Sequence, residues 1–287
     1  MGYMHIDNLY KNTEILLFKE CYALEKIHGT SAHITWKAET KEVILFSGGV
    51  KYVNFEKLFD KQNLKDKFEE LFDNDTTIFG EAYGGPCQKM RETYGDELKF
   101  VAFDIKVGYC WLDVPTAEGI VLNLGLEFVD YHKVSTDLNS LDNERDMPST
   151  QAFRNGLGNN KIREGVVLRP LIELTKNNGK RIIAKHKADS FLETATKRKV
   201  NVGQLKVLQE AEAIANEWVT PMRLNHVLDK LNNPNTIQDT GKVIKAMVED
   251  VYREGKNEIV ESKQAMIAIS KHTAKLYKNL VTRLKNE

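Results

Sequence analysis

The sequence has little cysteine and no net charge. Its three cysteines, Cys21, Cys87 and Cys110, stand far apart, without a CxxC pair or a His/Cys cluster. This spacing argues against a zinc site and a disulfide framework, and it indicates buried free thiols in a reducing compartment. Because 41 basic residues balance 41 acidic ones, any affinity for nucleic acid must come from locally segregated lysines and arginines.

Long apolar runs are also missing. No uncharged stretch is apolar and long enough to cross a bilayer, and the N-terminal residues do not show the pattern of a signal peptide. We therefore expect a cytoplasmic protein without a membrane partner, and no obligate protein partner is evident. At 287 residues the chain is long enough for one larger and one smaller domain.

The chain up to about residue 195 mixes short β-branched or aromatic runs with Gly, Asn and Asp. It predicts strands in 15–24, 76–86 and 100–107, and two hairpins that join 32–36 to 42–46 and 163–170 to 181–187. Apolar residues at helical spacing between Phe55 and Phe72 predict one surface helix. Residues 136–161 are rich in Asn, Asp, Ser and Gly, which predicts a mobile surface loop.

After Lys197-Arg198-Lys199 the pattern becomes helical. Four apolar stripes predict helices near 205–218, 221–231, 243–251 and 258–284. Thr220 and Pro221 are a typical cap and first-turn pair, and Gly255 is placed to end the third helix. The stripes predict a small helical domain. The basic cluster 197–199, with Lys206 and the lysines of the last helix, either follows a nucleic-acid backbone or forms a solvated helix face.

Polar residues that interrupt apolar strands carry the candidate chemistry. They are Glu25, Lys26, His28, Glu81, Asp104, Glu164, Lys185 and Lys187. One nucleophilic lysine, two or three carboxylates and a pair of lysines are typical of a site that binds a nucleoside triphosphate with Mg²⁺ and attacks its α-phosphate. Any one of these residues alone is more often an ordinary core or surface residue, so their order along the chain carries the prediction.

Lys26 is the predicted nucleophile. It ends an extended run three residues before Gly29, so we expect it in a cleft where the backbone comes close to a bulky ligand. At its unperturbed pKa of about 10.4 the lysine is protonated and has no lone pair. Lys185, Lys187 and a bound metal would lower that pKa, because like charge disfavours the ammonium form. The same cations would neutralise the phosphates.

The roles of the remaining residues stay open at this point. Glu81 and Glu164 could bind Mg²⁺ or accept from ribose hydroxyls. Glu25 is a candidate for recognising the adenine amino group, because a carboxylate accepts from it. Phe103 is either a stacking face for the purine or a core residue. His28 could equally be a hydrogen-bonded loop residue.

Five segments, in order, resemble the nucleotidyl-transfer motifs of ATP-dependent RNA ligases: Glu25–Gly29, Phe79–Glu81, Phe100–Ile105, Glu164–Pro170 and Lys185–Lys187. The resemblance is strongest to the nick-sealing RNA ligases of phages, in the superfamily that includes DNA ligases and messenger RNA capping enzymes. It implies an α+β fold, with a nucleotidyltransferase domain of antiparallel sheets over 1–196 and a small all-helical domain over 200–287. An oligonucleotide-binding barrel, as in DNA ligases, would need strands in the second domain.

The resemblance implies a three-step reaction with ATP as AMP donor and Mg²⁺ or Mn²⁺ as metal. Lys26 attacks ATP to give a lysyl-adenylate, AMP passes to an RNA 5′-phosphate, and an RNA 3′-hydroxyl then displaces the AMP. Lys26, Lys185 and Lys187 are the implied catalytic residues, and Glu164 and Glu81 serve metal and ribose. The implied ATP-binding residues are Glu25, Lys26, Ile27, His28, Gly29, Ser31, Glu81, Phe103, Glu164, Lys185 and Lys187.

The sequence departs from this family at three places. Ser31 stands where asparagine is usual, Arg169 where lysine is commoner, and Phe46-Ser47-Gly48-Gly49 where an arginine is expected. That arginine is associated with the ribose and the strand ends, and Lys51 is a candidate substitute. The alternatives are a ligase for DNA or mixed nicks, and a protein that binds RNA ends and adenylylates itself without joining strands. Repair, splicing and defence all stay open as biological roles.

Overall fold

The computed structural model describes residues 2–197, 200 and 210–286. They divide into two compact units, Met1–Ala188 and Asp189–Glu287. The division falls before the predicted boundary at residue 196. Within the second unit, Ala195 donates its N–H to the carbonyl of Glu217 at 2.7 Å. Arg198, Lys199, Lys206 and the first five residues of the helix predicted near 205–218 lie outside the described residues.

The described residues of the first unit form two antiparallel sheets. The strands are β1 (Glu20–Lys26), β2 (Thr30–Lys37), β3 (Glu42–Phe46), β4 (Thr76–Tyr83), β5 (Lys99–Val107), β6 (Cys110–Trp111), β7 (Tyr131–Ser135), β8 (Gly165–Pro170) and β9 (Ala184–Lys187). They build a four-stranded sheet, β7-β1-β8-β9, and a five-stranded sheet, β3-β2-β4-β5-β6. The predicted α+β class with antiparallel sheets is confirmed, and so are both predicted hairpins.

The helices of this unit are α1 (Tyr52–Glu56), α2 (Lys61–Leu71), α3 (Arg91–Tyr94), α4 (Val114–Asn123), α5 (Leu138–Arg145) and α6 (Thr150–Arg154). The single helix predicted between Phe55 and Phe72 is wrong, because the chain forms α1 and α2 there. The Asp60 side chain accepts hydrogen bonds from the N–H groups of Gln62 and Asn63. This cap starts a new helix where the apolar spacing alone suggested a continuous one.

The mobile loop predicted for residues 136–161 is also wrong, because the segment contains α5 and α6. Asp137 accepts from the N–H of Ser140 at 2.9 Å, and the Ser149 hydroxyl accepts from the N–H of Ala152 at 3.0 Å. Short polar side chains favour both turns and helix N-termini. The composition that suggested a loop therefore supplies the helix caps.

Two smaller predictions need correction. The strand predicted from Ile15 begins only at Glu20, because Glu14–Leu17 form a 3₁₀ turn. The cysteines are all free, but only Cys21 and Cys87 are buried, whereas Cys110 is exposed.

The main core lies against one face of the five-stranded sheet. Ile34 and Trp36 of β2 are buried there, and the Trp36 ring stacks on Phe68 of α2 with centroids 5.9 Å apart. Burying rings of this size stabilises a domain by about 2–3 kcal/mol each. Because side chains alternate along a strand, Ser31 and His33 lie on the opposite face. That face carries the candidate site.

The described part of the second unit is helical, as predicted. It contains α7 (Ala211–Trp218), α8 (Pro221–Lys230), α9 (Thr240–Glu254) and α10 (Lys263–Asn286), and no strand is found among residues 210–286. Thr220 caps α8 by accepting from the N–H of Arg223 at 3.2 Å, and Gly255 follows α9, as the sequence indicates. The last helix starts later than predicted. Within the described ranges, no helix has the length and apolar character to span a membrane.

Candidate active site

A cavity of about 130 Å³ lies between the two sheets of the first unit. Six of the predicted ATP-binding residues line it: Glu25, Lys26, Ile27, Ser31, Glu81 and Phe103. The first sheet supplies Lys26 at the last position of β1, as expected for a strand end in a cleft. The second sheet supplies Ser31 and Glu81, which are paired across β2 and β4. The other five predicted residues are outside this lining.

Strand pairing places two of the predicted catalytic lysines in one row of the first sheet. Lys26 lies opposite Gly165 on β8, and Gly165 lies opposite Lys187 on β9. Neighbouring strands lie about 4.8 Å apart and paired residues share a face, so both amines stand on one face beside a position without a side chain. Lys185 lies in the next row of this face, opposite Val167.

Glu164 connects these cations. Its carboxylate is 2% exposed and accepts from Lys26 Nζ at 2.9 Å, and Lys187 Nζ lies 3.0 Å from its other oxygen. His28 Nδ1 lies 3.0 Å from the oxygen that Lys26 contacts. Burial by itself would raise the pKa of Glu164, but Lys26, Lys187 and His28 lower it well below the usual 4.5. The carboxylate is therefore ionised at neutral pH and offsets the lysine charges.

Gly29 allows β4 to come close to the backbone, whereas the sequence predicted that it lets a ligand come close. A Cβ at this position would lie 2.3 Å from the carbonyl oxygen of Ala82 and 2.9 Å from Cγ of Glu81. The missing side chain therefore lets the start of β2 come against β4. The sequence suggested that the glycine makes room for a ligand, whereas here it makes room for the strand that carries Glu81.

A β-bulge sets the position of Phe103. Phe79 pairs with Asp104 and the next residue, Gly80, pairs with Ala102, so Phe103 is an extra residue in the β4–β5 ladder. Bulges re-aim side chains beside functional sites. The Phe103 ring lines the cavity and meets the ring of Tyr3 nearly at right angles, with centroids 4.9 Å apart.

The N-terminal segment belongs to the site, which the sequence did not predict. Tyr3 and Ile6 line the cavity. Further along, Lys185 donates its N–H to the carbonyl of Asp7 at 2.9 Å, and Leu9 donates to the carbonyl of Lys185 at 2.8 Å. No motif marks this segment, because its position depends on backbone pairing with β9.

A buried ionic cluster joins the two sheets beside the cavity. Asp104 of β5 contacts Arg181 and lies 3.1 Å from Arg169 of β8. Glu173 accepts from Nε of Arg169 at 2.7 Å and from Nε of Arg181 at 2.9 Å. Tyr3 completes the cluster by donating its hydroxyl hydrogen to Asp104 at 2.7 Å. Asp104, one of the candidate polar residues, therefore holds the sheets together, and two acids balance two arginines.

Glu25 is engaged by α6. Its oxygens accept from the Ser149 hydroxyl at 2.5 Å and from the N–H of Gln151 at 3.1 Å. Burial raises the pKa of Glu25, while the Ser149 hydrogen bond acts in the opposite direction. The sequence did not predict Ser149 and Gln151 as site residues, because they fall in the segment that was predicted to be a loop. If Glu25 recognises adenine, its carboxylate must accept from the adenine amino group as well as from Ser149 and Gln151.

The carboxylates suit a metal that is bound only in part by protein. Among the residues that the structure describes, no group of three or more His, Cys, Asp or Glu side chains could hold a metal ion. Glu164 and Glu81 are both hard oxygen donors: Glu164 contacts Lys26 and Lys187, and Glu81 lines the cavity together with Lys26. Mg²⁺ usually keeps several waters and binds one or two carboxylates plus substrate phosphates, so this donor set fits it.

The two antiparallel sheets bring the lysine row and the buried Glu164 carboxylate into one site. A family model described as RNA ligase matches residues 19–187, more than half of the chain. The chain belongs to the RNA ligase family. The resemblance inferred from the five motifs is thereby confirmed, while the phage nick-sealing branch stays a prediction.

Solved structures give the same fold. A mutant of the Naegleria gruberi RNA ligase with ATP and Mn is similar with a TM-score of 0.51 and 16% identity, over 67% of this chain and 57% of that chain. The Naegleria gruberi RNA ligase with PPi matches with the same TM-score, identity and coverage. At this identity the likeness establishes the fold alone, and the chain spans little more than half the length of that ligase. A comparison with curated protein sequences gave no match.

Proposed function

We propose that the protein is an ATP-dependent RNA ligase that carries AMP on Lys26 and joins RNA 5′-phosphate and 3′-hydroxyl ends. The observation that carries this proposal is the buried Glu164 carboxylate, which holds Lys26 and Lys187 on one face at the edge of the cavity. A paired lysine at a strand end is poised to face a phosphate, whereas a solvated surface lysine has no fixed direction.

The cavity is the proposed adenosine site. Its apolar side chains include Leu24 and Val167, and the Phe103 ring offers a stacking face for the purine. Glu81 and Ser31 supply polar groups on the opposite wall. The Naegleria gruberi RNA ligase has been solved with ATP and Mn, and also as a mutant with AMP and Mn. Both ligands are consistent with ATP as the AMP donor here.

The proposed first step forms a bond between Lys26 Nζ and the α-phosphorus of ATP. The bond from that phosphorus to the bridging oxygen breaks, pyrophosphate leaves, and the amine loses its protons to solvent. Lys185 and Lys187 neutralise charge on the phosphates, which matters most as the leaving group departs. Mg²⁺ or Mn²⁺, held by Glu164 and Glu81, would supply further charge neutralisation when bound.

The next two steps transfer and release AMP. An oxygen of the RNA 5′-phosphate attacks the phosphorus of the lysyl-adenylate and the Lys26 amine leaves, taking up a proton. The RNA 3′-hydroxyl then attacks the 5′-phosphorus, loses its proton and displaces AMP. Phosphoryl transfers of this kind depend on positioning and charge stabilisation rather than on elaborate side-chain chemistry. All three steps therefore require that the lysines and the RNA ends share one face.

The test is covalent labelling with ATP that is radioactive at the α-phosphate. The wild-type chain should gain one AMP, and Lys26→Ala should abolish the label because the accepting amine is gone. Lys61→Ala is the matched control, since Lys61 is an exposed lysine that pairs with Glu56 at 2.9 Å on the surface. Normal labelling of Lys26→Ala would contradict the proposal.

A substrate panel then separates ligation from the alternatives. It contains 5′-phosphorylated single strands, nicked RNA duplexes, nicked DNA and cleaved tRNA loops. Joining of RNA ends supports the proposal, and joining of DNA nicks alone would favour the polynucleotide ligase. A protein that labels itself but joins nothing would be the RNA-end-binding alternative, which the absence of the hairpin arginine keeps open.

A further inference from the structure

A second and larger cavity, of about 830 Å³, lies on the same face of the five-stranded sheet as Ser31 and Glu81. Alternate residues of three strands meet there: Thr35 of β2 pairs with Ile44 of β3 and with Thr77 of β4. Ile44 is 47% exposed although it is apolar. Thr35, Ile44 and Thr77 do not line the first cavity.

The second cavity continues directly from the first along the same strands. Ser31 and Glu81 line the first cavity, and His33 and Phe79, which line the second, are two residues further along β2 and β4. Two residues of an antiparallel strand span about 7 Å. A polymer whose end lies in the first cavity would therefore reach the second one.

His33 points to a ligand in the second cavity. The side chain is 6% exposed, its ring stacks on Phe46 with centroids 4.7 Å apart, and it lines the cavity. Within the part of the chain that the structure describes, its Nδ1 has no hydrogen-bond partner. Burial lowers the pKa of His33 to about 4, so the ring is neutral at pH 7 and has one donor and one acceptor nitrogen. Buried polar atoms are normally paired, so the unpaired imidazole marks this wall of the cavity as a place for a polar group of a ligand.

The rest of the lining suits a flat aromatic group better than a phosphate. Tyr109, at the turn between β5 and β6, lines the cavity and is 97% exposed. Glu39, Asp73 and Asp75 also line it and would repel a phosphate. Two lysines, Lys37 and Lys106, line it as well, so the three carboxylates still exceed the cations by one, and Lys37 pairs with Asp75 at 2.6 Å. An exposed ring, an apolar side chain and an unpaired imidazole nitrogen can stack on a base and bond its edge.

We propose that this second cavity binds an unpaired nucleobase of the RNA substrate, close to the end that reacts. The inference rests on the proposed function, since it takes RNA as the substrate. Tyr109 stacks on the base and His33 bonds its edge. A base held in this way cannot stay in a duplex, so the substrate is RNA with unpaired ends rather than a fully paired nick.

Binding is measured in the Lys26→Ala background, so that the result does not depend on adenylylation. A fluorescent single-stranded oligoribonucleotide is titrated with protein. Tyr109→Ala should weaken binding by about tenfold, the size of one lost base-aromatic stack. Phe153→Ala, which removes an exposed ring outside both cavities, should leave the Kd unchanged. Equal dissociation constants for Tyr109→Ala and Phe153→Ala would overturn the proposal.

Photocrosslinking locates the base. Oligoribonucleotides with 4-thiouridine at either the 3′ or the 5′ end are irradiated with the Lys26→Ala variant. We expect a crosslink to Tyr109 or His33 from one of the two, and that result identifies which RNA end supplies the bound base. A crosslink that unlabelled RNA removes but AMP does not identifies an RNA base. Removal by AMP at the same concentration, or crosslinks that map only elsewhere, would overturn the assignment. Failure of the ligase chemistry would show separately, as missing AMP label on the wild-type chain.

Discussion

Glu164 shows how a single buried carboxylate can organise several cations. It is almost fully buried, yet three basic side chains lie within hydrogen-bond distance. A buried carboxylate without cationic partners would strongly destabilise the fold. Removing the carboxylate would in turn leave the lysine charges uncompensated, which is also destabilising. The lysine positions therefore depend on Glu164 whether or not it also binds metal.

We expect Glu164→Gln to reduce self-adenylylation at least about tenfold and to destabilise the first unit by about 3 kcal/mol, because the neutral amide no longer offsets Lys26 and Lys187. Labelling rates and urea unfolding measure the two effects.

Asp250→Asn is the matched control. Asp250 is 3% exposed and also has three cationic partners, Arg223, Lys230 and Arg253, but it lies in the second unit. The Asp250→Asn variant should have a lower free energy of unfolding, and its rate of AMP transfer to Lys26 should be unchanged. A similar loss of labelling in both variants would mean that Glu164 acts only through general stability.

His33 predicts a pH dependence. Its folded pKa of about 4 lies below the usual 6.5, so below pH 6.5 the unfolded chain binds a proton that the folded chain does not. Stability should therefore fall as the pH drops from 6.5 towards 4, by up to about 3 kcal/mol. His33→Gln should flatten this dependence in urea unfolding measured across that range. If the free energy of unfolding of His33→Gln changed with pH as steeply as that of the wild type, the result would contradict the burial of a neutral imidazole.

At the scale of elements, the sequence predicted the strands that carry motifs and missed the helices that support them. β4, β5 and β8 contain dense β-branched and aromatic runs, and their patterns were sufficient. α5 and α6 are short and have weak apolar periodicity, so the caps Asp137 and Ser149 looked like turn residues. The Glu25 contacts with α6 could not be predicted either, since they join residues more than a hundred positions apart.

The two caps differ in a way that can be measured. Asp137→Ala removes only a helix cap and should destabilise the protein by about 1 kcal/mol. Ser149→Ala removes a cap and also the hydroxyl that Glu25 accepts from at 2.5 Å. It should cost about 2 kcal/mol or more, because a buried carboxylate loses a donor. Thermal unfolding of both variants tests this, and equal losses would mean that the Glu25 contact contributes little.

At the scale of the whole molecule, the site residues all lie before the division of the chain at residue 188. The sequence indicated a change from mixed to helical character, but it could not fix the boundary, because residues 189–196 have no strong pattern of their own. In the structure, Glu193 of this stretch lies 3.4 Å from Arg223 of α8. The smaller unit therefore includes residues that were assigned to the catalytic domain.

Removing residues 200–287 should leave self-adenylylation largely intact and weaken the joining of RNA ends. The cavity proposed for the nucleotide and the lysines beside it belong to the first unit, whereas a second unit rich in lysine could contribute to RNA binding. Parallel assays of AMP labelling and end joining on chains that stop at residue 188 or 199 test this. Loss of both activities in both chains would mean that the helices complete the first fold.

The extra residue in the β4–β5 ladder has a consequence for how this fold can change. A chain that lost Phe103 alone would pair Phe79 and Gly80 with consecutive residues of β5, and the ladder would be regular. The same deletion would take the aromatic wall from the cavity. A regular ladder and the proposed stacking face for a purine therefore exclude one another at this point. A descendant that no longer needed nucleotide could lose the bulge by deletion of one residue.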